Sequence, residues 1–297
     1  MPNPPIWYNG RLQDVAEAPV SPMAPALHYG LGVFEGIRAY GIASGPAIFR
    51  LDAHMARMAK GAEALGLAFD PEACARGCRE VLEASGLQDA YIRPLAFFAQ
   101  GTLGLDVDLH TTHTLVAAIP WQNHLGEAVL TGVRAHCSPM RRNAALAIPP
   151  LKLCGGYVNA ILAKREAARA GFQEAIFQDD RGFVVEATGE NVFMVQGRRL
   201  VAVAHPDALP GITRATLVEL TGAEERPVTL AELLTADEVF LTGTSAEVAP
   251  VAALDGRTWQ PGPVTLELAA TYQELVHGRV AERMAWLTPA QDAGCPA

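Results

Sequence analysis

Apolar residues recur at Met55, Met58, Ala62 and Leu65. That three-to-four spacing marks one face of a helix, so a helix is expected from Asp52 as its N-cap to Gly66. Asp70-Pro71 opens a second helix and Gly86 closes it. The runs 47–50, 91–98 and 114–119 read as strands, and Asn9-Gly10 as a two-residue hairpin turn. Pro120 to Gly126 breaks the pattern. Beyond it, strands are expected at 129–137, 174–178, 183–188, 192–195, 200–204 and 238–241. Residues 141–150 read as irregular, and 156–170 as a helix that Gly171 stops. Leu209-Pro210-Gly211 opens a helix to Leu220, Thr229 and Glu232 form a capping box, and 264–284 is an amphipathic helix. The pattern is that of a mixed α/β chain in two domains, 1–120 and 127–297, with an interdomain linker at 121–126.

The 297 residues, half of them hydrophobic, suffice for one large or two modest domains. The net charge is −9 and no basic block is present, which argues against nucleic acid as a partner. No apolar run reaches the roughly 18 residues of a membrane span, so no membrane is expected. The start Met-Pro-Asn-Pro-Pro-Ile-Trp has neither a basic nor an apolar leader segment. Five cysteines read as reduced thiols of a cytoplasmic protein, with Cys74 and Cys78 on one packing face. The eight histidines show no zinc spacing, so no metal is expected. Only three of the 23 basic residues are lysines: Lys60, Lys152 and Lys164. Chemistry that needs an amine therefore has three candidates.

Lys60 lies on the helix with Met55 and Met58, Lys164 has Arg165 and Glu166 beside it on another, and both read as solvated surface positions. Lys152 sits in the apolar run Ile148-Pro149-Pro150-Leu151-Lys152-Leu153-Cys154. Burial drives an amine toward its neutral form, which attacks carbonyls to form a Schiff base. The alternative is a packed stem whose head reaches water. Glu186 stands in the apolar strand Phe183-Val184-Val185-Glu186-Ala187, where it is either paired or on a solvated strand face. Gly211-Ile212-Thr213 and Gly243-Thr244-Ser245 could each offer backbone N–H groups to an anion, and Arg57 could add a bidentate fork. Neither a P-loop nor a G-x-G-x-x-G fingerprint is present, which demotes ATP and dinucleotides.

Taken together, five segments resemble one family. They are His28 to Arg38, Tyr91-Ile92-Arg93-Pro94, Glu186 to Phe193, Leu209 to Arg214, and Gly243-Thr244-Ser245-Ala246-Glu247. In this order they resemble the branched-chain amino-acid aminotransferases, pyridoxal-phosphate enzymes of fold type IV. The resemblance implies a small N-terminal α/β domain and a larger C-terminal pseudo-barrel domain that binds the cofactor. It implies pyridoxal 5'-phosphate and ping-pong transamination of branched-chain L-amino acids (Leu, Ile, Val) with 2-oxoglutarate, giving the 2-oxo acid and L-glutamate. Lys152 matches the lysine that holds the cofactor covalently and moves the proton. Glu186 matches the carboxylate at the ring nitrogen, and Tyr157 the tyrosine at the phenolic oxygen. Arg57, Ile212, Thr213 and Thr244 match phosphate-binding positions. Tyr29, Phe34, Arg38, Tyr91 and Arg93 match the substrate pocket, where Thr244 and Ser245 also hold the carboxylate. The partners implied are amino acids and 2-oxo acids, and a homodimer, or a higher oligomer built from dimers, in which Tyr29 serves the second subunit.

Two positions depart from the family. Gly156 stands where the family has Asn before the tyrosine, so a local hydrogen bond is at stake. His124 stands where branched-chain enzymes often place Tyr, which leaves the preferred side chain open. A D-amino-acid or R-selective amine transaminase, or an aminodeoxychorismate lyase, is the alternative on the same fold. A binding protein on an inactive enzyme fold is the alternative of another class. The joint presence of Lys152, Glu186 and Arg57 argues against it.

Overall fold

The computed structural model describes residues 5–18, 20–107, 110–121 and 125–291, and the side chains of all of these except Val129 and Leu130. Residues 122–124 of the expected linker, His124 among them, lie outside the described residues. The chain forms two compact units. One gathers Met1–Trp121, Leu151–Gly155 and Glu274–Ala297, and the other Gln122–Pro150 and Gly156–Gln273. The units are thus not contiguous in sequence, whereas the break in the pattern at 120–126 suggests the ranges 1–120 and 127–297. Long-range backbone pairing is the reason. Leu287–Pro289 adds an antiparallel strand to Gly45–Phe49, and Leu153 bridges Val33.

In the first unit, eight strands pair without exception antiparallel among the described residues. The central pairs are Ile37–Ile42 against Ala90–Gln100, and that strand against Thr111–Pro120. Period-two alternation sorts their side chains. Ile37, Ala39, Ile92, Ala96, Phe98, Val116 and Ala118 join one core with Met55, Met58 and Ala62 of the helix Leu51–Leu65 and Cys74, Cys78, Val81 and Leu82 of the helix Pro71–Ser85. Cys74 and Cys78 are therefore packing residues. The opposite face carries Arg38, Tyr40, Tyr91 and Arg93, with Arg38 directly across from Tyr91. One sheet thus has an apolar face under helices and a face rich in cations and phenols.

The helix Pro71–Ser85 starts as the sequence expects, with Asp70 accepting from the N–H groups of Glu72 and Ala73. The helix Leu51–Leu65 starts earlier than expected. Arg50, not Asp52, takes the cap position at φ 53°. Its N–H donates to Trp286 O at 2.7 Å, and its guanidinium lies 3.5 Å from the Trp286 ring centre. A tertiary contact outweighs the local capping preference.

The second unit holds a nine-stranded mixed sheet. Its strands Val133–Arg141 and Glu174–Gln178 run parallel, and the helix Tyr157–Arg169 is the crossover that such a pair requires. The strand 129–137 expected from sequence begins later. Ala128–Thr131 is a helical turn, and the strand runs from Val133 to Arg141 because neighbours on both sides supply its ladder. The expected helix 264–284 is Pro263–Val276, and a 3-10 segment follows at Ala281–Trp286. The Gly278 and Arg279 N–H groups fold back onto Leu275 and Glu274 carbonyls and end it. No helix among the described residues is long and apolar enough to cross a membrane.

Buried Glu238 ties the helix Pro263–Val276 to the sheet. Its carboxylate accepts from the N–H groups of Val264 (3.1 Å) and Thr265 (2.8 Å) and from Thr265 Oγ1 (2.6 Å). These are charge-assisted bonds at a positive helix end. Glu238→Ala is expected to destabilise the fold by about 2–3 kcal/mol, read as a lower denaturant midpoint. A loss under about 0.5 kcal/mol would show the cap to be idle.

Candidate active site

Lys152 is positioned by the main chain. Residues 152–155 lie beside the strand Gly32–Phe34: Phe34 N–H donates to Lys152 O (3.2 Å), Cys154 N–H to Gly32 O (2.8 Å) and Gly155 N–H to Gly30 O (3.1 Å). This register brings Lys152 Nζ to 5.0 Å from the Phe34 ring centre. The Arg93 guanidinium lies 4.8 Å from the same ring and 5.1 Å from the Tyr91 ring, and it donates to Tyr91 Oη at 2.9 Å. Lys152, Phe34, Arg93 and Tyr91 are thus one cluster. Gly36 makes room for it, since a Cβ there would lie 1.9 Å from Tyr91 Oη.

Arg38 is on the same sheet face but is 4 % exposed, its guanidinium 4.3 Å from the Tyr40 ring centre and 3.9 Å from that of Trp121. Tyr29 ends a short helix, exposed, and its hydroxyl donates to Leu103 O. Arg57 is bound through a fork to fully buried Glu35: Nε to Oε1 at 2.7 Å and Nη2 to Oε2 at 2.8 Å. His54 Nδ1 lies 2.8 Å from Glu35 Oε2. Burial alone would raise the Glu35 carboxyl, but Arg57 and His54 reverse this and hold it far below the usual carboxylate range. Burial, helped by the charges of Arg57 and Lys152, lowers His54 against the pull of Glu35. His54 is therefore neutral at neutral pH and donates from Nδ1, because the carboxylate can only accept.

In the second unit, Glu186 is buried on the strand Val184–Ala187. Its Oε1 accepts from Arg142 Nε at 2.6 Å and its Oε2 from Leu209 N–H at 2.9 Å. The solvated-face alternative is thereby removed. Ile212 and Thr213 open the helix Ile212–Thr221, whose N-cap Gly211 contributes no side-chain bond. Asn191 Nδ2 donates to Leu209 O at 3.0 Å, and its Oδ1 would lie 1.9 Å from a Cβ at Gly211. A Cβ at Gly211 would force the Asn191 amide to move. Thr244 and Ser245, half-buried, form the turn between Glu238–Gly243 and Glu247–Leu254. Just before it, buried Thr242 Oγ1 has no hydrogen-bond partner among the described residues. Tyr157 is half-buried at the start of its helix. At the departure position, Asn143 Nδ2 donates to Gly156 O at 3.2 Å.

Lys164 is not simply solvated. It is ion-paired with fully buried Glu174, whereas Lys60 is exposed. Sequence reasoning did not single out Glu35, His54, Arg142 or Asn159. Glu35 had one signal, an acidic residue inside the apolar run Val33-Phe34-Glu35-Gly36-Ile37. Arg142 and Asn159 had none.

The sequence model of the family described as amino-transferase class IV matches residues 32–254. The chain belongs to that family. A branched-chain-amino-acid aminotransferase of Salmonella typhimurium is 38 % identical, over 96 % of this chain and 96 % of its own. The branched-chain aminotransferase of Thermoproteus uzoniensis, solved with norvaline, superposes with a TM-score of 0.92 at 37 % identity, over 97 % of this chain and 99 % of its own. The T.th. branched-chain amino acid aminotransferase, complexed with N-(5'-phosphopyridoxyl)-L-glutamate, gives 0.91 and 39 % over the same shares. These similarities span both units and fix the fold as that of the fold-type IV enzymes.

The Glu35 cluster has a pH consequence. Both Glu35 and His54 have lowered folded-state values, so the unfolded chain binds more protons as the solution is acidified. Their stabilisation is present at neutral pH. It declines below about pH 6.5 for His54 and below about pH 4.3 for Glu35, the unfolded values. Thermal melts are expected to fall with acid accordingly. Glu35→Gln should cost about 3–5 kcal/mol at pH 7, by leaving Arg57 buried without its anion, and should flatten the acid limb.

Proposed function

We propose that this protein is a pyridoxal-phosphate-dependent transaminase of branched-chain L-amino acids with 2-oxoglutarate. The observation that carries the reading is the cluster of Lys152, Phe34, Arg93 and Tyr91 in a chain of this family. The relatives solved with norvaline and with a phosphopyridoxyl-glutamate agree with a pocket that takes an aliphatic and an acidic side chain in turn.

The residues present fit the cofactor. Glu186 is a buried acceptor already paired with a cation. The helix at Ile212 begins without a side-chain cap, and Thr242 offers a buried hydroxyl without a partner among the described residues. By the resemblance, Arg57, oriented by Glu35, is a phosphate-binding candidate of the first unit, and Ile212, Thr213 and Thr244 are those of the second. Tyr157 would hold the phenolic oxygen. When bound, the cofactor supplies an electron sink for the α-carbon. Lys152 Nζ is the amine that would hold it, and the same group would take and return the α-proton. Glu186 would accept a hydrogen bond from the ring nitrogen. In the first unit Phe34 would line the aliphatic side, Tyr91 would belong to the substrate pocket, and Arg93, Arg38 or Tyr29 would receive the acidic side chain; in the second, Thr244 and Ser245 are the carboxylate candidates. A homodimer with Tyr29 at the partner's pocket belongs to this reading. So does the cytoplasm, where the free thiols of Cys74, Cys78, Cys137 and Cys154 stay reduced.

Borohydride reduction of the cofactor-loaded protein, followed by peptide mapping, is expected to label Lys152. Label on Lys60 or Lys164 overturns the mechanism. A half-reaction panel should favour L-leucine over D-alanine and 1-phenylethylamine, and the reverse order would hand the site to the alternative transaminases. Arg93→Ala is expected to lower kcat/KM for L-glutamate by about 10–100-fold, the worth of one charged hydrogen bond. Turnover of both glutamate and leucine at wild-type rates would remove Arg93 from the pocket.

A further inference from the structure

The groups that surround Glu186 are built around a residue with no place in the reading above. Arg142 follows the strand Val133–Arg141, and its side chain is 11 % exposed. It donates from Nε to Glu186 Oε1 at 2.6 Å and from Nη1 to Asn159 Oδ1 at 3.2 Å. Asn159 also brackets the backbone on both sides of Arg142. It accepts from Asn143 N–H (3.3 Å) and donates to Arg141 O (3.0 Å). Asn143 in turn holds Gly156 O. The guanidinium is thus held at two points, by Glu186 and by Asn159, and Asn159 is itself fixed on the backbone.

A buried carboxyl beside a pyridine nitrogen can share one proton in two ways. Either the nitrogen keeps it and the carboxylate is an anion, or the N–H bond breaks, an O–H bond forms, and both groups become neutral. Burial favours the neutral arrangement, because charge is costly away from water. A fixed cation behind the carboxylate favours the charged one. Leu209 N–H on Oε2 acts in the same direction.

We propose that Arg142 is a positioning residue that keeps the shared proton on the cofactor's ring nitrogen by holding Glu186 as an oriented carboxylate. This rests on the functional reading above and adds a residue to it. Atoms and charge balance without a further reactant, since the two arrangements differ only in which atom carries the proton.

The test is the 15N resonance of the holoenzyme loaded with ring-15N pyridoxal phosphate, in wild type, Arg142→Lys and Arg142→Gln. The wild type and Arg142→Lys are expected at the pyridinium position, and Arg142→Gln shifted toward neutral pyridine. A merely structural role would leave the shift in place while lowering the melting temperature. An unchanged shift in Arg142→Gln overturns the proposal. Should that variant fail to fold, Asn159→Ala carries the test. Loosening the guanidinium is expected to move the resonance part of the way, and an unmoved resonance overturns the proposal equally. If the wild type itself retains no cofactor, it is the functional reading that fails.

Discussion

The Glu35 carboxylate lies at 0 % exposure. Much of the first unit is arranged so that it can. An anion taken out of water is tolerated only when its partners are fixed and fully bonded. Arg57 and His54 meet that demand from one helix, three residues apart and therefore on one face. Glu35 meets it from the residue after Phe34. The pair thus locks the strand that carries Phe34 to the helix that carries Arg57. The same strand holds Lys152 through its backbone. A single buried ion pair connects the segment of Lys152, the helix of Arg57 and the Phe34 ring.

The second unit uses the same device. Glu186, like Glu35, is a buried carboxylate satisfied by an arginine and by another donor, Leu209 N–H. In both cases arginine is suited to the task, because its planar fork remains charged and directs several bonds at once. The two pairs differ in support. Arg57 sits on a regular helix, whereas Arg142 sits at the end of a strand and needs Asn159 to fix it.

Much of this was legible in the sequence where the signal is local. Asp70 and Gly86 bound a helix because capping and chain reversal are properties of single residues. Lys152 stood out because an amine in an apolar run is rare, and Glu186 because a carboxylate in an apolar strand needs a partner. The partner itself was not legible. Arg142 lies far from Glu186 along the chain, in a segment whose strand forms only because both of its neighbours are present. Arg50 displaced Asp52 as a helix cap for the same reason, through Trp286 at the other end of the chain. The units interleave along the chain because Leu151–Gly155 and the strand Leu287–Pro289 pair with distant N-terminal segments.

The scarcity of lysine has a practical side. Lys152 is half-buried beside Phe34, Lys164 is tied to Glu174, and Lys60 is the exposed ε-amine. Reagents that couple to side-chain amines therefore meet Lys60, on the helix Leu51–Leu65, as the most exposed of the three. A support that captures such amines would draw preferentially on the helix Leu51–Leu65 and favour one orientation, with Lys152 the less accessible beside Phe34.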